Sequence, residues 1–194
     1  MNIDKKNLIL LIVVVILYVI VAIIVILIYI KIKEKKNSNI KNINSILVND
    51  LNKIISDLYN NPYTESDRQF ALNISKNFNI DKVKPYSHSK KVAETINKGE
   101  ETYLCYEDNN GPIPYNILII PYLHECAHCG LRKTLDHPEV FWISFSKLLN
   151  KAIDLNIINK DNYNEETVCR CNNPIINKNI LDDILKYKYK NISE

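Results

Sequence analysis

Residues 121–142 read PYLHECAHCGLRKTLDHPEVFW, and this stretch holds three of the chain's four histidines. Its residues 124–128, HECAH, form an HExxH motif. On a helix, residues four apart are separated by only about 40° around the axis and one turn along it, so both imidazoles can reach one metal ion. Glu125 adjoins the first histidine, where its carboxylate can face a water molecule and act as general base. The motif therefore predicts a helix that carries a zinc site with His124 and His128 as ligands.

A zinc ion used in catalysis needs a third protein ligand and one open position. Gly130 is expected to end the motif helix in a left-handed cap and to turn the chain. The next helix is expected to begin near Asp136 and Glu139, which fit a capping pair. This reversal would return His137 to the motif, so we predict His137 as the third ligand. The alternatives are a surface position for His137 at a helix start, and two motif histidines that are merely solvated or hydrogen-bonded on an amphipathic helix.

Two other zinc-protease patterns can be compared with this spacing. A metzincin would show HExxHxxGxxH and a Met-turn, whereas this chain has HExxH-x8-H and no methionine besides Met1. A thermolysin-like site would use a downstream Glu on a helix, but no Glu lies between 140 and 164. Glu139 is the near candidate, and it is better explained as a helix cap. The spacing therefore favours three histidine ligands.

The remaining elements are predicted from hydrophobic spacing and turn residues. The predicted helices cover 46–58, 65–78, 121–129, 138–153 and 179–188, and the predicted strands cover 102–106 and 116–120. An Asn-Asn-Gly-Pro turn at 109–112 separates the two strands, and residues 81–100 are expected to be irregular. Pro121 suits the first turn of the motif helix. The predicted fold class is α+β.

An apolar segment precedes this body. Residues 7–30 form a run of 24 residues without a charge, which as a helix would span roughly 36 Å, enough to cross a ~30 Å hydrocarbon layer. A signal peptide would have a shorter apolar region with small residues at a cleavage site, whereas this run ends in bulky residues before Lys31. We predict a membrane anchor with lysine flanks over 1–36, a polar linker over 37–42 and the functional domain over 43–194.

Charge bears on both orientation and partners. More lysines follow the span than precede it, so the positive-inside rule favours a body that faces the cytoplasm. Residues 1–36 hold six lysines against two acidic residues, which leaves 19 basic and 20 acidic side chains on residues 37–194. Such a body lacks the basic excess of a phosphate-binding surface, so nucleic acid is not an expected partner. The expected partners are the membrane and a protein or peptide substrate.

The five cysteines are Cys105, Cys126, Cys129, Cys169 and Cys171. An odd number does not fit a secreted disulfide framework, so a reducing compartment is favoured. The CxxC and CxC pairs could form a structural zinc site, but Cys129 adjoins His128, and two metal sites would crowd one helical turn. Buried thiols that act as small hydrophobic side chains are the favoured interpretation.

The order of strand, turn, strand, HExxH helix and then a histidine followed by an aromatic pair (TYLCYEDNNGPIPYNILIIPYLHECAHC, then DHPEVFW) resembles WLM-type metallopeptidases and their SprT-like relatives. It is most similar to the short WLM-like proteins encoded by large DNA viruses. The likeness covers about residues 100–155, and the spacer of eight is longer than in WLM proteins and shorter than in SprT proteins. It implies a zincin-like domain with a Zn²⁺ cofactor. The residues carried over are the zinc ligands His124, His128 and His137, the catalytic acid/base Glu125, and the packing residues Phe141 and Trp142.

These observations lead to three functional hypotheses. The first is a single-pass, membrane-anchored zinc metallopeptidase of a viral or host-cell membrane, in which Glu125 is the general base. The second is a non-catalytic, membrane-tethered zinc module that binds a protein partner; a purely structural site would not need Glu125. The third is a SprT-like protease acting on DNA-bound proteins, which is expected to have a basic surface or a nucleic-acid-binding tail, neither of which is visible.

Overall fold

The structure is a computed structural model, and it describes residues 5–86, 92–97, 99–108, 111–131, 136–163 and 178–192. The fold is mixed α+β, as predicted, with a long apolar N-terminal helix and small sheets. The helices are α1 (Lys5–Asn60), α2 (Ser66–Asn77), α3 (Tyr115–Gly130), α4 (Glu139–Asp154) and α5 (Lys178–Leu185). The strands are β1 (Val83–Pro85), β2 (Ala93–Ile96), β3 (Glu101–Leu104), β4 (Glu107–Asp108) and β5 (Gly111–Pro112). The chain divides into two compact units, Met1–Asn42 and Ile43–Glu194.

The first unit contains the apolar part of α1. Its most apolar 18-residue window has a mean hydropathy of 3.8, and none of that window is buried. By length and composition, this helix is long enough and apolar enough to cross a membrane. The helix continues through residues 37–42, where the sequence predicted a polar linker. Those residues include neither Gly nor Pro, so nothing in them breaks a helix.

The end of α1 belongs to the second unit and contributes to its core. The helix predicted over 46–58 lies within α1, and its buried apolar residues are Leu47, Leu51, Ile54, Ile55 and Leu58. Ile46, the first residue of the predicted helix, is not one of them, because 42% of its surface is exposed. The helix ends at Asn60, two residues before Pro62, because proline disfavours the helical conformation of the residue before it.

Helix α3 is the centre of the second unit and packs against α2, α4, β2 and β3. Eleven of its 16 residues are buried, so it is apolar on nearly every side. The strand predicted at 116–120 is therefore wrong: those residues form the start of α3. A short, continuous apolar run has the same appearance in a buried strand and in a buried helix. Pro121 consequently lies inside the helix rather than in its first turn.

The three-stranded sheet has the order β1-β3-β2, with β1 parallel and β2 antiparallel to the central β3. Strand β3 lies within the predicted strand region 102–106, apart from its first residue. The prediction that 81–100 is irregular is wrong, because β1 and β2 lie there. Each has at most four residues, and their pairing with β3 depends on contacts distant in sequence. Strands β4 and β5 form a separate small hairpin around the predicted turn, whose residues 109–110 lie outside the described residues.

Both ends of the loop between α3 and α4 differ from the predicted caps. Gly130 is the last residue of α3, and the described glycines with positive φ are Gly99 and Gly111. A Cβ at Gly130 would overlap the ring of Phe70, so this glycine serves the close approach of α2 to α3. Helix α4 begins after Pro138 without a side-chain cap, so the predicted pair of Asp136 and Glu139 is wrong. The carboxylate of Glu139 instead pairs with Lys190, 2.5 Å away.

Buried ion pairs hold α4 against the helices before it. Lys147 Nζ lies 2.5 Å from an Asp67 carboxylate oxygen, and both side chains are 0% exposed. Asp67 also accepts hydrogen bonds from the backbone N–H groups of Tyr63 and Thr64, so its carboxylate has hydrogen-bond partners besides Lys147. One turn further on, Lys151 pairs with Asp57 at 2.7 Å. Breaking the fully buried pair of Lys147 and Asp67 would leave a charge without a partner, so α4 is strongly constrained.

Two buried tyrosines provide a matched test of this packing. The hydroxyl of Tyr122 has no hydrogen-bond partner within the described part of the chain. The hydroxyl of Tyr163, equally buried, donates to the carbonyl oxygen of Asn116 at 2.5 Å. We expect Tyr122→Phe to stabilise the protein by about 1 kcal/mol, because it removes an unsatisfied buried hydroxyl. Tyr163→Phe should destabilise it by a similar amount, and a lower melting temperature for both variants, measured by circular dichroism in detergent, would contradict this account.

Candidate metal centre

The three predicted histidines lie together at one end of α3. His124 and His128 are one turn apart on this buried helix, and their Nε2 atoms are 3.3 Å apart. His137 lies just before α4, and its Nε2 is 3.2 Å from that of His128 and 3.0 Å from that of His124. The loop between the two helices therefore brings the third histidine back to the motif. The three side chains could hold a metal ion.

The spacing of the three nitrogens fits a tetrahedral zinc site. With Zn–N bonds of about 2.0–2.1 Å, two ligand atoms of a tetrahedron lie about 3.3 Å apart. The observed separations of 3.0 to 3.3 Å are close to that value. Helix α3 keeps two of the nitrogens in place, and the start of α4 supplies the third. The described residues therefore provide one triangular face of such a site.

Hydrogen bonding among the histidines cannot explain this triangle. A neutral imidazole nitrogen is either a donor or an acceptor, and never both. Among three mutually adjacent Nε2 atoms, at least one pair must consequently consist of two donors or two acceptors. A cation removes this conflict, because all three nitrogens can direct a lone pair at it. A metal ion therefore gives all three Nε2 atoms a favourable interaction, whereas hydrogen bonds among the histidines do not.

The acid–base state of the histidines also suits metal binding. Burial, with the neighbouring His128 and His137, lowers the pKa of His124 to about 3. Burial and His137 lower the pKa of His128 to about 4. Both rings are therefore uncharged at neutral pH. Each keeps a free lone pair, which is the form that binds a metal.

Glu125 lies on the same helix, next to His124. Its side chain is largely buried, with 7% of the residue exposed, and it has partners within the protein. Burial of a carboxylate requires such partners. The motif helix therefore carries a buried carboxyl group at the position that follows His124 in the sequence.

Aromatic rings surround the histidine triangle. Phe141 is fully buried, and its ring lies 4.3 to 4.7 Å from all three imidazoles, centroid to centroid. Trp142 lies 5.7 Å from His137, so both residues of the predicted aromatic pair pack at the site. Phe145 adds a ring 5.4 Å from His124, and sequence reasoning missed it. Its position four residues after Phe141, on the same face of α4, was the available signal.

The described cysteines are not part of the histidine cluster. Cys126 and Cys129 are free and buried, and burial raises the pKa of both thiols. These two behave as small core side chains. Cys105 is disulfide-bonded, which differs from the thiols expected in a reducing compartment. Cys169 and Cys171, the CxC pair of the less favoured structural zinc site, lie outside the described residues.

Comparison with known proteins gives one partial similarity. No family model and no solved structure matches the chain. Over 84 residues, the chain is 33% identical to "Uncharacterized protein R325" of Acanthamoeba polyphaga mimivirus. The match covers 42% of this chain and 42% of that protein. The shared region is therefore less than half of either protein.

Zinc binding can be measured directly on the full chain in detergent. We expect one Zn²⁺ per chain, with a stabilisation of about 2.7 kcal/mol when free zinc exceeds its Kd a hundredfold. His124→Ala, His128→Ala and His137→Ala should each remove most of this shift in melting temperature. His88→Ala, which changes the fourth histidine, is the control. An equal zinc-induced shift in all four variants would exclude the triangle as the binding site.

Proposed function

We propose that this chain is a membrane-anchored zinc metallopeptidase with a zincin-like domain of the WLM type. The observation that carries the proposal is the triangle of three Nε2 atoms, two from the HExxH helix and one from His137, with the buried Glu125 next in sequence to the first histidine. The sequence resemblance to WLM-like proteins of large DNA viruses supports it. The partial similarity to a mimivirus protein is compatible with a viral origin.

His124, His128 and His137 would hold the ion. When bound, zinc supplies a Lewis acid that lowers the pKa of a water molecule and polarises a peptide carbonyl. Glu125 accepts the proton that the water loses as it attacks the carbonyl carbon. Glu125 then returns this proton to the nitrogen of the leaving amine, so that one carboxyl group serves as base and as acid.

The geometry favours catalysis over a purely structural zinc site. Structural zinc ions are usually enclosed by four protein ligands, whereas catalytic ions have three and an open position. Within the described residues, the cluster consists of three histidines, and His137 is exposed. Glu125 is also unnecessary for a site that only stabilises the fold. The non-catalytic, membrane-tethered module is therefore the second candidate.

A role on DNA-bound proteins receives less support. Residues 37–194 carry 19 basic and 20 acidic side chains. Several lysines are already engaged in ion pairs with acidic residues, among them Lys147, Lys151, Lys188 and Lys190. A surface of this kind does not provide the positive field that draws proteins to phosphate backbones.

The decisive test of the proposal is Glu125→Gln. Glutamine preserves the size of the side chain but cannot accept the proton, so we expect hydrolysis of a mixed peptide library to fall by about 10²–10⁴-fold. Bound zinc and melting temperature should stay at the wild-type values. The matched control is Glu139→Gln, since Glu139 follows the third histidine closely but pairs with Lys190 at the surface. Full hydrolysis by a zinc-loaded Glu125→Gln protein would exclude the mechanism.

The proposed orientation can be tested separately. The lysines that follow the span favour a cytoplasmic body, whereas a disulfide at Cys105 is typical of an oxidising compartment. On the charge argument, we expect protease added outside sealed microsomes to digest the body. Protection of the body until detergent is added would reverse the orientation and agree with the disulfide.

A further inference from the structure

Phe141 is the one described residue whose ring contacts every histidine of the triangle. Its ring stacks on His128 at 4.3 Å with an interplanar angle of 29°. It meets His137 edge-on at 4.5 Å and 89°, and His124 at 4.7 Å and 63°. Each imidazole thus meets the Phe141 ring at a different angle. Contact with this one side chain therefore constrains the orientation of all three imidazole rings.

Within the described residues, the histidines have no protein group that supports them in the way that metal ligands are usually supported. In most metal sites, the second ring nitrogen of each histidine donates to a carboxylate, a carbonyl group or a water molecule, and this bond sets the ring's orientation. In the described part of the chain, the hydrogen bonds of the three histidine side chains join only their own Nε2 atoms. No protein acceptor in the described residues therefore orients any of these rings.

Phe141 is itself held firmly enough to orient other rings. It is 0% exposed and stacks on Phe145 at 5.9 Å, with Trp142 edge-on at 5.3 Å. Helix α4, which carries all three aromatic residues, is fixed by the buried ion pair of Lys147 and Asp67. A ring on such a constrained helix provides a surface of defined shape, as ligand-supporting groups require.

We propose that Phe141 is the positioning residue of the metal centre, where its aromatic packing orients the three ligand rings that no described protein group orients by a hydrogen bond. This inference rests on one part of the proposed function, namely that the three histidines bind a metal ion. It does not depend on peptide hydrolysis. Without the planar ring, each imidazole could rotate about its Cβ–Cγ bond, and the three lone pairs would no longer converge before metal binding.

The test compares Phe141→Leu with Phe78→Leu in the full chain in detergent. Phe78 is also buried, but its ring packs on Tyr122 at 5.5 Å and not on a histidine. We expect Phe141→Leu to weaken zinc binding by about 10–100-fold, the range found when ligand-supporting groups are removed. Phe78→Leu should lower the melting temperature of the metal-free protein comparably and leave the zinc Kd unchanged.

Two further measurements separate positioning from stability. The absorption spectrum of the Co²⁺-substituted protein reports ligand geometry, and it should change in Phe141→Leu but not in Phe78→Leu. Phe141→Met serves if the leucine variant does not fold, because methionine fills the space with a flexible chain and offers no planar face. It should show the same loss of affinity as the leucine variant.

Several outcomes would overturn the inference. Wild-type zinc affinity and an unchanged Co²⁺ spectrum in Phe141→Leu or Phe141→Met would show that the ring does not orient the ligands. An equal loss of zinc affinity in Phe78→Leu would show that the loss in Phe141→Leu results from weakened core packing and not from ligand orientation. A wild-type chain that binds zinc with this dependence on Phe141 but cleaves no peptide would refute the proposed function alone. A wild-type chain that binds no zinc would refute both.

Discussion

Three imidazole nitrogens face one another across 3.0 to 3.3 Å, and no distribution of protons satisfies all three pairs. The surrounding structure must therefore hold them there against their mutual preference to separate. It does so with a helix that is buried on nearly all sides and with a second helix that is tied down by ion pairs. The unfavourable pairing of the three nitrogens is therefore maintained by the rigid packing of the two helices.

The central helix accommodates several unfavourable features to achieve this. Pro121 lies in its interior and has no N–H to donate to the preceding turn, Glu125 is a buried carboxyl group, and the hydroxyl of Tyr122 is unsatisfied within the described residues. Packing of apolar residues against α2, α4 and the sheet offsets these costs. Gly130 then lets Phe70 approach the end of the helix, which brings α2 close to α3.

Local patterns account for much of what could be predicted. The helical stripe at the end of α1, the helices α2, α4 and α5, and the placement of two histidines one turn apart all follow from spacing within a few residues. Residues 116–120 could not be assigned in this way, because a short apolar run has the same appearance in a buried strand and in a buried helix. Strands β1 and β2 could not be assigned from local patterns either, because they form by pairing with β3. Phe145 was missed because its role appears only when α4 is placed against His124.

A metal site made of three neutral imidazole nitrogens would discriminate among the cations that compete for it. Mg²⁺ and Ca²⁺ prefer charged or carbonyl oxygen ligands, so the far more abundant hard cations of a cell are poor competitors here. Among first-row transition ions, the same donors would bind Cu²⁺ more tightly than Zn²⁺ by intrinsic affinity. Selection of zinc would then be made by the supply of free metal in the compartment that the body faces. The occupant of the site would thus be a property of the protein's location as well as of its sequence.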